Sequence, residues 1–183
     1  MSRIYLEFFY RHSIPEMLLW GVMLTAFWTV LSLISTRYLR LTNAWIWINR
    51  VVLITAILFI LYWTVGRRAG SKQEISLIPF YSFLAAQKQP ERYRSIVANI
   101  LLFIPFGLSM PLVVDSSRLH RPVLVTIISA AALSTIIEAL QFFFSLGLCE
   151  IDDVIFNTCG AAVGSLAFVI ARSIEKLRPD IPI

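Results

Sequence analysis

Six polar residues lie close together in two long apolar runs and the short bend that joins them. They are Glu138, Gln141, Glu150, Asp152, Asp153 and Asn157. Neighbouring carboxylates can do general acid–base chemistry when burial raises the pKa of one of them, and carboxylate and amide oxygens are the ligands that Mg²⁺ and Ca²⁺ prefer. The same groups can bind a polar headgroup through charge-assisted hydrogen bonds. The sequence places no nucleophile–base pair and no histidine near them.

The polar residues of each run recur at helical spacing. The first run has Ser134, Glu138, Gln141 and Ser145, and the second has Asp153, Asn157, Gly160 and Gly164. Residues at i, i+4 and i+7 share one face of a helix. Because lipid would reject such a stripe, we expect the two helices to turn these faces toward each other as antiparallel neighbours. The two glycines would let the helix backbones approach closely.

Glu138 is the most demanding of these residues. Moving an acidic side chain to the centre of a membrane helix costs about 2.5–3.5 kcal/mol on insertion scales. Glu138 therefore needs a partner, a water-filled cleft or a proton. Hydrogen bonding to Gln141 or Asn157 is one explanation, and a functional role is the other. Asp152 and Asp153 begin a helix, where the helix dipole stabilises negative charge, so capping explains one of them equally well.

A third apolar run supplies another polar residue. It reads NILLFIPFG and contains Asn99, Pro105, Phe106 and Gly107. Proline removes a backbone donor and glycine follows it closely, so we expect a kink at Pro105.

Upstream of that run, ISLIPFYSF holds Ser76, Pro79 and Phe80 and is too short to span a membrane. It would dip into the interface, form a surface helix or fold over the polar residues as a lid.

The elements that position these residues are transmembrane helices. The chain has 183 residues, of which 58% are hydrophobic and 15% charged, whereas soluble domains are about 45–50% apolar and about 25% charged. A crossing needs roughly 20 mainly apolar residues. Five runs qualify: Glu16–Ser35, Ala44–Val65, Ser95–Val114, Arg121–Ser145 and Ile151–Ala171. We therefore predict one all-α transmembrane domain over residues 1–183, with residues 66–94 as an extramembrane or re-entrant connection.

Charge gives a weaker prediction of orientation. The net charge of +5 fits basic flanks that meet anionic lipid, and no basic patch interleaved with aromatic residues suggests nucleic acid. The bend Gly147–Asp153 has three acids and no base, which is typical of the outside. With five crossings, the C-terminus is then cytoplasmic and the N-terminus outside. Four crossings, with the first helix along the interface, are the alternative.

An ordered set of short motifs resembles the VanZ-like membrane proteins over residues 75–167. The motifs are SLIPF, NILLFIPFG, E-A-L-Q and E-I-D-D-V-I-F-N-T-C-G with a further glycine four residues on. On this resemblance the family's polar positions are Asn99, Glu138, Gln141, Glu150, Asp152, Asp153 and Asn157, followed by Gly160 and Gly164. Two positions depart from the family pattern. Ser76 stands where relatives often have asparagine, and Gly147 where many have arginine.

The resemblance implies a multi-pass protein of the bacterial cytoplasmic membrane that contributes to tolerance of teicoplanin and related lipoglycopeptides. Our preferred hypothesis is an outward-facing polar cleft that binds a membrane lipid headgroup, the lipoglycopeptide or another partner. A second is an enzyme acting on a phospholipid or an undecaprenyl-linked cell-wall precursor, with Glu138 as general base or with a bound divalent cation. A third is proton movement through Glu138 in a homo-oligomer. Only the second calls for a cofactor.

Overall fold

A computed structural model describes residues 13–35, 42–66, 73–89, 91–116 and 121–176. Five of its helices are long and apolar enough to cross a membrane. The predicted all-α bundle of five spans is therefore confirmed, and the chain is a multi-pass membrane protein.

The elements are numbered in chain order. They are α1 (Ile14–Leu33), α2 (Thr42–Leu61), β1 (Glu74–Ser76), α3 (Tyr81–Ala86), α4 (Glu91–Ser116), α5 (Pro122–Phe143), β2 (Leu148–Glu150) and α6 (Ile151–Lys176). A π-helical turn, Tyr62–Gly66, extends α2. The third span begins at Glu91 rather than at the predicted Ser95. The ends of the other spans lie closer to their predicted positions, except that α6 continues to Lys176 beyond the predicted Ala171.

Local sequence explains how α1 begins, and it places two prolines inside α4. Ser13 and Glu16 form a capping box at the start of α1, which satisfies backbone N–H groups that have no helical partner. Helix α4 is unbroken at Pro105 and Pro111, although each proline lacks the N–H that its helix would use. The hydroxyl of Ser109 donates to the carbonyl oxygen of Pro105 at 2.8 Å.

Helix α1 exposes its large apolar side chains and buries small and polar ones, the reverse of a helix in a soluble protein. Its buried residues are Met17, Gly21, Thr25, Thr29 and Ser32, which are mostly small or polar. Large apolar side chains such as Val22 and Phe27 are instead 64% and 61% exposed. A helix in water buries its large apolar side chains. The inversion fits lipid around the bundle and small residues between helices.

Helix α4 lies at the centre of the bundle and makes its most extensive contacts with α6. A Cβ on Gly160 would lie 2.0 Å from the carbonyl oxygen of Ile100, and one on Gly107 would lie 2.1 Å from that of Ala161. Gly164 is similarly close to the backbone of α4. We expected Gly160 and Gly164 to face α5. They face α4 instead. Helix α6 packs against both α4 and α5, and its glycines lie on the side that contacts α4.

The connection between α2 and α4 folds back onto the bend between α5 and α6. Strands β1 and β2 pair in parallel, with Ile75 opposite Cys149 and Ser76 opposite Glu150. A turn at Pro79 and Phe80 leads into α3. We call residues 73–89 the strap. It consists of a short strand, a turn and a short surface helix, and it lies at the end of the bundle where α5 ends and α6 begins.

Candidate functional site

Polar side chains from four segments meet at this end of the bundle. We call the following residues the polar cluster: Arg92, Asn99, Glu138, Glu150, Asp152 and Asp153. All but Arg92 are among the residues that the sequence analysis singled out.

Asp152 binds the strap through both of its carboxylate oxygens. The backbone N–H of Phe80 donates to Oδ1 at 2.5 Å, and that of Ser82 donates to Oδ2 at 2.6 Å. Asp152 is only 2% exposed. Phe80 has a φ of 60°, a left-handed conformation that is costly for a bulky residue. The two hydrogen bonds help to hold it there. Asp152 therefore attaches the strap to the start of α6.

Asp153 connects the last span to the third. Its Oδ1 accepts a 2.7 Å hydrogen bond from the side-chain amide of Asn99. Both residues are half-buried. The sequence predicts Asp153 on the polar stripe of the last span, and the structure brings its side chain into direct contact with Asn99 of the third.

Glu138 lies inside the bundle, 3% exposed, near the end of α5. Its Oε2 accepts a 2.9 Å hydrogen bond from the backbone N–H of Glu150. This contact joins α5 to β2 through an acidic side chain. Glu150 in turn lies 3.5 Å from Arg92 as an ion pair.

Asn157 lies one helical turn deeper than Asp153. Its side-chain amide donates to Ser134 Oγ at 2.8 Å, so α5 and α6 contact each other through their polar stripes at this level. Asn157 is 3% exposed, and its Oδ1 has no hydrogen-bond partner among the described residues. A buried acceptor without a donor costs about 1–3 kcal/mol. This oxygen is therefore a place where water or a ligand donor would be stabilising.

Gln141 contacts the end of α2. Its side-chain amide donates to the carbonyl oxygen of Thr64 at 3.2 Å, and Gln141 itself is 1% exposed. Thr64 belongs to the π-helical turn that ends α2. Gln141 thus satisfies a backbone carbonyl at the end of α2 and joins α5 to that helix.

Several supporting residues do not reach the polar cluster. Phe106 is buried beside Phe103 in the apolar core of α4, with ring centroids 6.2 Å apart. Pro105 lies inside the same helix, and Gly107 meets α6. Their place in the structure indicates that they set the path and packing of α4. Ser76 and Pro79 contribute to the strap, which is held next to the cluster.

Arg92 was missed by the sequence analysis. The predicted third span began at Ser95, so Arg92 was assigned to the connection. Arg92 and Asn99 are seven residues apart and therefore share one face of α4, a signal that a longer helix would have revealed. Arg92 also gives the acidic run an arginine partner through Glu150.

The negative charges of the cluster act on a neighbouring thiol. Burial raises the pKa of Cys149 above its usual value, and the negative charges of Glu138 and Asp153 raise that pKa further. Glu138 and Asp153 are therefore both within electrostatic reach of β2. Among the described residues, no group of three His, Cys, Asp or Glu side chains converges as metal ligands would.

Comparison with known proteins identifies the family of this chain. The VanZ/LLP1 family model matches residues 45–172. Protein VanZ of Enterococcus faecium is 33% identical over 72 residues, which are 39% of this chain and 42% of that protein. The match thus spans less than half the length of this relative. No solved structure matches the chain. Because the family model covers the four spans α2, α4, α5 and α6 together with the polar cluster, this chain belongs to the VanZ/LLP1 family.

Proposed function

We propose that this protein contributes to tolerance of teicoplanin and related lipoglycopeptides by binding a lipid headgroup in its polar cluster. The cluster then faces the outer leaflet of the bacterial cytoplasmic membrane, where lipid-bearing antibiotics accumulate, and the C-terminus is cytoplasmic. The link to teicoplanin comes from the resemblance to VanZ-like proteins, named after an accessory teicoplanin-resistance protein.

One observation carries the headgroup proposal: acidic side chains are buried at one end of a membrane-spanning bundle. Glu138 and Asp152 are 3% and 2% exposed. Acidic residues inside membrane spans are costly and usually face an interior or a water-filled cavity that serves function. The unpartnered Oδ1 of Asn157 lies one turn beneath Asp153 and adds a buried acceptor on the same side of α6.

The surroundings of the cluster favour an amphiphilic ligand. Phe80 and Leu84 of the strap are 55% and 60% exposed beside the polar groups that hold the strap. A lipid presents both a polar headgroup and apolar chains, so it matches this combination better than a soluble polar molecule does.

Tolerance measurements test the proposal in cells. The chain would be expressed in a teicoplanin-susceptible host, unmodified or with Glu138→Gln or Asp153→Asn, and the inhibitory concentration would be determined at equal membrane abundance. We expect both variants to lose the tolerance that the unmodified chain confers. Asp115→Asn is the matched control. Asp115 lies away from the cluster and forms an ion pair with Arg172, with 2.7 Å between the nitrogen and oxygen atoms. Full tolerance in both cluster variants would refute the proposal.

Lipid binding is measured separately on purified protein. Native mass spectrometry from mild detergent would count the phospholipids that remain bound to the unmodified chain and to the same three variants. We expect retained phospholipid for the unmodified chain and for Asp115→Asn, and less for Glu138→Gln and Asp153→Asn. Equal retention by all four proteins would show that the cluster does not hold the headgroup.

A further inference from the structure

The outer surface of the strap is apolar although the strap is too short to span a membrane. Its large exposed side chains have exposed fractions between 44% and 68%, and they are Ile75, Leu77, Ile78, Phe80, Tyr81, Phe83 and Leu84. Contiguous apolar surface of this kind marks an interaction site.

The side of the strap that faces the protein has the opposite character. On α3, Ser82 and Ala86 lie one turn apart and are 7% and 1% exposed. The backbone of Ser82 meets the carboxylate of Asp152 there. A surface helix in water would bury Phe83 and Leu84 and expose Ser82, so the arrangement is inverted.

The same inversion is found on α1, which is a membrane span. There Thr25 and Thr29 are buried while Val22 and Phe27 are exposed. The medium outside α1 is lipid, and the strap presents the same chemistry to its surroundings. The strap also lies between the end of α2 and the start of α4, both of which are span ends at a membrane boundary.

We propose that the strap lies within the interfacial layer of the bilayer, with the apolar side chains of residues 75–84 inserted among lipid chains. Amphipathic segments of this kind bury their apolar face about 5–10 Å into the headgroup and acyl boundary. The inference concerns the depth at which the strap lies, and it stands whether or not the polar cluster binds a headgroup. It excludes a lid that moves through water.

The polar flank of the strap fits the same partner. Lys88 follows α3 and is exposed, and Arg92 begins the next helix with its guanidinium 5.8 Å from the ring of Tyr81. Basic and aromatic residues together are typical of the membrane interface, where each Lys or Arg is attracted to anionic lipid. A lipid surface therefore satisfies both the apolar face and its basic edge.

Depth-dependent fluorescence quenching tests the proposal in liposomes. The background would be Cys149→Ala with Cys159→Ala, and an environment-sensitive dye would be attached at Leu84→Cys. Lys88→Cys, one turn away on the basic edge at the level of the headgroups, is the water-accessible reference. Ile54→Cys, 58% exposed in the middle of α2, is the lipid reference. Ile78→Cys on the turn provides a second strap position, and gel filtration would verify that each labelled protein is folded.

We expect dyes at Leu84 and Ile78 to lose fluorescence with a lipid quencher placed near the headgroup. A quencher at the chain end should affect them less than it affects Ile54, and aqueous iodide should affect them less than Lys88. Quenching of the strap by iodide to the level of Lys88 would overturn the proposal in favour of a lid in water. Protection from every quencher would also overturn it, because a protein partner or a second copy would then cover the strap.

Discussion

The side-chain amide of Asn99 donates a 2.7 Å hydrogen bond to Oδ1 of Asp153, which joins the third membrane span to the fifth at one end of the bundle. Deeper in the membrane the same two helices meet through Gly160, whose backbone lies against Ile100. The polar contact at the boundary and the close backbone contact below it together set the rotation of α6 about its axis. The orientation of the polar cluster depends on that rotation.

Exchanging the two side chains tests the Asn99–Asp153 contact. Asn99→Asp places two carboxylates against each other and removes the donor, which should destabilise the protein by roughly 1–3 kcal/mol. Adding Asp153→Asn to that variant restores the hydrogen bond with its direction reversed, so that the amide at position 153 donates to the carboxylate at position 99. We expect the melting temperature of the detergent-solubilised protein to fall with Asn99→Asp and to recover in the double variant.

The recovery distinguishes this contact from a general effect of charge. Asp115→Asn added to Asn99→Asp serves as the control, because it restores the net charge without restoring the hydrogen bond. If that control recovered as much stability as Asp153→Asn, the contact between Asn99 and Asp153 would not be responsible.

A methyl group at Gly160 should separate the two central helices. Its Cβ would lie 2.0 Å from the carbonyl oxygen of Ile100, which is backbone and cannot rotate away. Overpacking in a core typically costs about 1–3 kcal/mol, and a backbone clash falls at the upper end of that range. We expect Gly160→Ala to lower the yield of monodisperse protein and its melting temperature.

Gly66→Ala is the matched control for Gly160→Ala. A Cβ at Gly66 would meet a carbon atom of the Tyr62 ring at 3.5 Å, an ordinary van der Waals distance. Equal loss of stability in the two variants would mean that helix packing at Gly160 is not the cause.

The fold was predictable because long apolar runs with polar stripes leave few alternatives in lipid. The contact of Glu138 with β2 was harder to predict, since its donor is the backbone N–H of Glu150, which has no signature in the sequence. Strands of three residues are also too short to be recognised from alternation. The prediction that Gly160 faces α5 was wrong because it relied on α5 and α6 being adjacent along the chain. One stripe of α6 in fact contacts two helices: Asn157 contacts α5, and the glycines contact α4.

Asp152→Asn should release the strap. An asparagine retains one acceptor oxygen and places an NH₂ group against a backbone N–H, so one of the two hydrogen bonds is lost and the other is weakened. Hydrogen bonds to a charged group contribute about 1.5–3 kcal/mol each. We expect faster hydrogen exchange at the amides of Phe80 and Ser82, measured by mass spectrometry of peptides from the strap.

Asp153→Asn is the matched control for this experiment, because it removes a neighbouring carboxylate that accepts from Asn99, while the hydrogen bonds from Phe80 and Ser82 go to Asp152. Exchange in the strap should remain slow in that variant. Unchanged exchange at Phe80 and Ser82 in Asp152→Asn would contradict the role given to Asp152.

The reactivity of Cys149 reports the charge on its acidic neighbours. Burial and the negative charges of Glu138 and Asp153 raise the pKa of the thiol, so less of it is reactive thiolate at a given pH. Removing one charge should lower that pKa. In a Cys159→Ala background, we expect Glu138→Gln to shift the alkylation rate profile of Cys149 toward lower pH. Glu74→Gln is the control, and an equal shift in both variants would contradict a local effect of Glu138.

The acidic bend between α5 and α6 should face the outside of the cell. Basic residues favour the cytoplasmic side, and this bend has none between Gly147 and Asp153. In a Cys149→Ala, Cys159→Ala background, Gly147→Cys should react in intact cells with a maleimide that cannot cross the membrane. Arg121→Cys begins α5 at the opposite end and should react only after the cells are opened. The reverse pattern would place the polar cluster at the cytoplasmic leaflet, and a headgroup site there could not meet an antibiotic that acts from outside.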